Sequence, residues 1–98
     1  MERLHERKTV AMEAVLESSS GLRESRISDL SMGGCYVESM TSFTPGEAVA
    51  FDLIDTAGSS VGFTGEVAYV LEGFGFGLRF TNIGPDQLQF LREAIPKQ

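Results

Sequence analysis

The sequence predicts an all-β domain: a small six-stranded antiparallel β-barrel, closed or nearly closed, with one C-terminal α-helix. Three observations predict it. Six short runs alternate apolar and polar residues with period two, the pattern of half-buried strands. Eleven glycines in 98 residues, against three prolines, supply many tight turns. After Gly84 the apolar spacing changes to that of a helix. Ninety-eight residues can enclose one core and no second one. Strands this short must close on one another to bury their apolar faces.

Residues 1–8 form a leading arm, expected to be flexible because Leu4 is its one core-seeking side chain after Met1. Residues 9–98 form the barrel domain. In the first strand, Val10, Met12, Ala14 and Leu16 are all apolar at even positions, while Glu13 and Glu17 mark a solvated face. Ser18-Ser19-Ser20-Gly21 turns the chain. The run from Leu22 to Ser31 is more polar, including Glu24, and reads as an edge-like strand beside the first. Gly33-Gly34 interrupts it before a short third strand, Cys35 to Glu38.

A second group of strands comes after Thr44-Pro45-Gly46. Val49, Phe51 and Leu53 alternate in the fourth, and Ala57-Gly58-Ser59-Ser60 reads as a hairpin loop. Val61, Phe63, Gly65, Val67 and Tyr69 alternate along one face of a long fifth. The sixth, Phe74 to Phe80, carries Phe74, Phe76, Leu78 and Phe80 on one face, with Gly75 and Gly77 opposite, which permits close approach by another backbone or strong coiling. Pro85 suits a first helical position and Asp86 the first turn. Leu88, Leu91 and Ile95 continue at helical spacing, so the helix is expected over about 85–95.

Charge and composition exclude several function classes. The net charge of −6 opposes capture of polymeric nucleic acid. Residues 1–8 carry +1 and residues 9–98 carry −7, so positive charge gathers in the arm. An acidic body with a basic arm suits a small anion better than a polyanion. One cysteine, Cys35, rules out an internal disulfide, and packing in the third strand is its expected role. No apolar run nears the roughly 20 residues that span a bilayer, so no membrane insertion is expected. Arg3, His5, Arg7 and Lys8 stand where a signal peptide needs an apolar stretch; the expected location is cytoplasmic. One histidine and scattered carboxylates offer no nucleophile–base pair and no metal cluster. An enzyme is not expected, nor a cofactor.

Two motifs remain. Arg3-Leu4-His5-Glu6-Arg7 sets two arginines four apart, and Asp29-Leu30-Ser31-Met32-Gly33-Gly34 fits Asp-x-Ser-x-x-Gly. At ordinary residue frequencies the first arises by chance in roughly one in five chains of this length, the second in about one in twenty. Together, in this order and within six strands, they are far rarer. The chain thereby resembles the PilZ family, bacterial receptor domains for cyclic di-GMP (c-di-GMP). That family carries Arg-x-x-x-Arg just before its first strand and Asp/Asn-x-Ser-x-x-Gly between its second and third. The Gly75-to-Phe80 strand and the terminal helix are also similar to the family's ending.

The resemblance implies a split-barrel fold of PilZ type, with Arg3, Arg7, Asp29, Ser31 and Gly34 binding c-di-GMP. His5, Arg26, Gly33 and Arg79 are further candidates at the edge of that site. The residue types suit the ligand. An arginine fork matches a phosphate or the O6/N7 edge of guanine, and its plane can stack on a base. The Asp29 carboxylate can accept from the N1–H and amino group of guanine, and Ser31 can donate or accept. Gly34 either admits backbone and ligand without a Cβ in the way or supplies a positive φ. The implied protein is a second-messenger receptor, monomer or homodimer, without an output domain of its own, relaying to a protein effector.

Two other readings stay open on the residues alone. One is a single-stranded nucleic-acid-binding barrel, suggested by Gly73-Phe74-Gly75-Phe76, although Glu72 and Arg79 break that pattern. The other is a PilZ-like adaptor that binds protein and no nucleotide.

Overall fold

The computed structural model describes residues 8–18, 21–39 and 43–95. Six strands, β1 (Lys8–Ser18), β2 (Gly21–Leu30), β3 (Gly34–Glu38), β4 (Ala48–Ile54), β5 (Ser60–Leu71) and β6 (Gly75–Thr81), precede one helix, α1 (Pro85–Ala94). The strands close into a barrel in the order β1-β2-β3-β6-β5-β4, and β4 pairs back onto β1. Every pairing is antiparallel.

Alternation decides which face is interior. Leu16, Ile27, Leu30, Val37, Leu53, Val67 and Phe76 are all within 1 % of complete burial. Each such side chain contributes about 1.5–3 kcal/mol relative to exposure, so a one-residue slip in any strand would forfeit several of these terms together. Phe51, Phe63, Phe80 and Phe90 form an aromatic layer, with centroids 5.0 Å apart for Phe63–Phe80 and 6.0 Å for Phe63–Phe90. The last pair is edge-on and seats α1 against the barrel. Gln87 at the third helical position accepts from the Gly84 N–H at 2.9 Å and donates to the Gly62 carbonyl at 3.0 Å, which starts the helix and ties it to β5. Cys35 is buried in β3, as its apolar neighbours require.

Three expectations need correction. β2 is not an edge strand along its length: Arg26–Leu30 pairs with β3, and only the Gly21–Ser25 half is bonded to β1 alone. Phe74 does not join Phe76, Leu78 and Phe80 in the core. It lies in the β5–β6 turn, 73 % exposed, because β6 begins one residue later. Tyr69 does not share the inward face of Phe63 and Val67. The β5–β6 register runs Val67↔Leu78 and then Tyr69↔Gly77, leaving Ala68 as an extra residue. Such a bulge reverses the inward–outward phase of the rest of the strand, turning Tyr69 outward and Val70 toward the core.

Candidate functional site

The Asp29–Gly34 stretch is organised by the same device. β2 pairs Ile27↔Val37 and then Asp29↔Tyr36, so Ser28 is extra and Asp29 comes to lie beside outward-facing Tyr36 while Leu30 stays in the core. One oxygen of the half-buried Asp29 carboxylate, Oδ1, is shielded from solvent.

Ser31, 5 % exposed, is the hub of the turn. Its hydroxyl oxygen accepts from the N–H groups of Gly33 at 3.2 Å and Gly34 at 3.1 Å, and its proton is donated to the Gly34 carbonyl at 3.2 Å. The Ser31 N–H donates to that same carbonyl at 2.9 Å. Gly34 has an ordinary backbone φ. A Cβ there would stand 2.1 Å from the Leu78 carbonyl oxygen, so the glycine is required by close approach of the β6 backbone.

Facing this turn on the outer surface are β6 and β5. Gly34 pairs with Arg79, which pairs with Glu66, and the Arg79 guanidinium bonds the Glu66 carboxylate. Ser31, Gly33, Gly34, Ala68, Tyr69, Gly77 and Arg79 enclose an open groove of about 210 Å³. In the next row, Tyr36 and Tyr69 flank Gly77 with ring centroids 6.3 Å apart. Burial first, then the adjacent Tyr69 phenol and the Glu38 and Asp29 carboxylates, hold the Tyr36 hydroxyl above its ordinary pKa. Two larger grooves, about 420 and 620 Å³, lie across β1, β4 and β5. Among the described residues they carry Glu17, Glu47 and Asp52 and no Lys or Arg, which disfavours an anionic ligand there.

The sequence model of the PilZ domain matches residues 2–95. This chain belongs to the PilZ family. Several solved structures resemble it at low identity. The PilZ domain of YcgR from Escherichia coli with c-di-GMP is 18 % identical at a TM-score of 0.76, covering 97 % of this chain and 89 % of that one. YcgR from Escherichia coli in complex with c-di-GMP is 16 % identical at 0.78, over 94 % of this chain and 43 % of that chain. The Bacillus subtilis inhibitor of motility MotI/DgrA is 14 % identical at 0.79, over 96 % and 49 %. The chain therefore spans less than half of each of these two longer proteins. No curated protein sequence matches it.

The PilZ chain brings Ser31, Gly33, Gly34 and Arg79 into one groove, with Asp29 beside it. Arg26 is exposed in a row between Glu13 and Glu38, so carboxylates on both neighbouring strands offset its charge. Arg3, His5 and Arg7, with the expected flexibility of the arm, lie outside the described residues. The first described residue, Lys8, pairs with Leu30, next to Ser31. Tyr36 and Tyr69 were not anticipated from the sequence. A signal existed: counting back from the turn, where Leu71 faces Gly75, puts Tyr69 opposite Gly77. Among the described residues there is no cluster of His, Cys, Asp or Glu that could hold a metal ion, and no helix long and apolar enough to cross a membrane.

Proposed function

We propose that this PilZ domain is a receptor for c-di-GMP, clamped between Arg3 and Arg7 of the N-terminal segment and the Asp29–Gly34 turn, with Arg79 on the far wall. The observation that carries this reading is the pairing of Lys8 with Leu30. It puts the point where the Arg-x-x-x-Arg segment joins β1 directly beside the serine-centred turn, which supports one site shared by two motifs 22 positions apart in sequence. The described side of that place carries the Ser31 hydroxyl and the Arg79 guanidinium, the latter paired with Glu66, and both group types suit a cyclic dinucleotide. YcgR, whose PilZ domain shares this fold, has been solved with that ligand.

In this reading the chain binds and does not catalyse, and c-di-GMP is a ligand and not a cofactor. It acts in the cytoplasm as a monomer or homodimer and passes the signal to an effector protein. Exposed Leu71 and Phe74, at the β5–β6 turn, support contact with such a partner. Phe76, 1 % exposed, is sealed in the core, which leaves Phe74 as the exposed aromatic of Gly73-Phe74-Gly75-Phe76 and disfavours the nucleic-acid alternative.

Calorimetric titration with c-di-GMP tests the reading. Saturable 1:1 or 2:1 binding is the expected result. No heat, and no amide shift at residues 29–34 with ligand in large excess, would overturn the receptor reading and favour the non-binding adaptor.

A further inference from the structure

Tyr36, Gly77 and Tyr69 occupy one outward row across β3, β6 and β5, and Asp29 on β2 extends it. The rings are inclined by 27° with centroids 6.3 Å apart. Rings whose centroids are that far apart are not in face-to-face contact, and both side chains are only half-buried, so ring surface is left for another group. Gly77 seats this pair: a Cβ there would lie 2.4 Å from Cε1 and 2.6 Å from Cζ of Tyr69. The Ala68 bulge turns Tyr69 to that side in the first place. Bulge and glycine each weaken a strand, and both act to present one aromatic face. The same ring lines the groove that holds Ser31 and Arg79.

We propose that Tyr36 and Tyr69 form an aromatic floor on which one guanine base of c-di-GMP stacks, with its Watson–Crick edge turned toward Asp29. The inference rests on the receptor reading and adds to it two ligand-contacting residues outside both motifs. Stacking accepts any base, because every base has a π-face. The floor therefore supplies affinity, and Asp29 supplies the preference for guanine.

The test is titration of the full chain with c-di-GMP, as wild type, Tyr69→Phe, Tyr69→Leu and Tyr36→Leu, with proton NMR of the guanine H8. Leucine keeps apolar cover over Gly77 and removes the flat face. Tyr69→Phe is expected to bind within about threefold of wild type, and Tyr69→Leu about fivefold to a hundredfold more weakly. H8 is expected to move upfield on the wild-type protein and to lose that shift with Tyr69→Leu. Equal affinity of Tyr69→Leu and wild type, or an unshifted H8 in the wild-type complex, overturns the floor while leaving the receptor intact. Should Tyr69→Leu fail to fold, the wild-type H8 shift decides alone. Absence of any wild-type binding overturns the receptor reading and the floor with it.

Discussion

The two halves of the barrel wall are built differently. Where β4 meets β5 and β1, the ladders run without a break, Ala48↔Glu66 through Ile54↔Ser60 and Glu13↔Ile54 through Leu16↔Phe51. Around the candidate site three ladders are interrupted, between Thr9 and Met12 on β1, at Ser28 on β2 and at Ala68 on β5, while the β3–β6 ladder between them is unbroken from Gly34↔Arg79 to Glu38↔Gly75. The regular half presents Glu17, Glu47 and Asp52 and serves closure and core. On β2 and β5 the interrupted half uses the extra residue to move a polar or aromatic side chain outward without emptying the core behind it. Thus Asp29 faces out between buried Ile27 and Leu30, and Tyr69 between buried Val67 and half-buried Val70.

Glycine-to-alanine changes give the largest contrast between the halves. Gly34→Ala forces a Cβ to within 2.1 Å of backbone and should lower stability by about 3 kcal/mol or more, read by denaturant unfolding. Gly62→Ala, on the regular half, meets only the Asp52 side chain at 3.3 Å and should stay within about 1 kcal/mol of wild type. Equal effects at both positions would erase the distinction.

Next in size are the binding effects on the interrupted side. Arg7→Ala should cost about 1–3 kcal/mol of c-di-GMP affinity, Arg3→Ala somewhat less, and Arg7→Lys should not restore it, because an ammonium lacks the planar fork. Asp29→Ala carries the sharper sign. It removes negative charge near an anionic ligand, so simple attraction predicts tighter binding and guanine readout predicts weaker. A folded Asp29→Ala protein with undiminished affinity would refute the readout role.

Ser31→Ala should come after these, with a loss of about 1–2 kcal/mol in stability, since the N–H groups of Gly33 and Gly34 lose their acceptor. Binding should weaken in parallel, because the hydroxyl shapes the turn. A Ser31→Ala protein with wild-type melting temperature would show that the turn holds without it.

The smallest effect concerns pH. The Tyr36 phenol titrates above its ordinary value of 10.0 in the folded chain, so the folded state holds this proton more tightly than the unfolded one. Its stabilising contribution is complete below pH 10 and is lost as pH rises through the higher folded value. Tyr36→Phe should flatten that alkaline decline in melting temperature. An unchanged slope would place the titration elsewhere.

Period-two patterning, turn residues and the Pro85 helix start determined the strand count, a barrel at least nearly closed and the terminal helix, because burying one face of a strand is a local property of its sequence, while full closure is the β1–β4 pairing. The two motifs likewise carried the family, which the domain match bears out. Tertiary structure alone decided the phase of each strand beyond its bulge. At Ser28 nothing in the local pattern announces an extra residue, and at Ala68 only the count back from the β5–β6 turn does; the selecting force is the demand that Leu30 and Val70 return to a core already filled from the other strands. The reason for Gly34 was equally non-local: the Leu78 carbonyl that forbids a Cβ there stands 44 positions away in the chain and is brought to it only by the β3–β6 pairing.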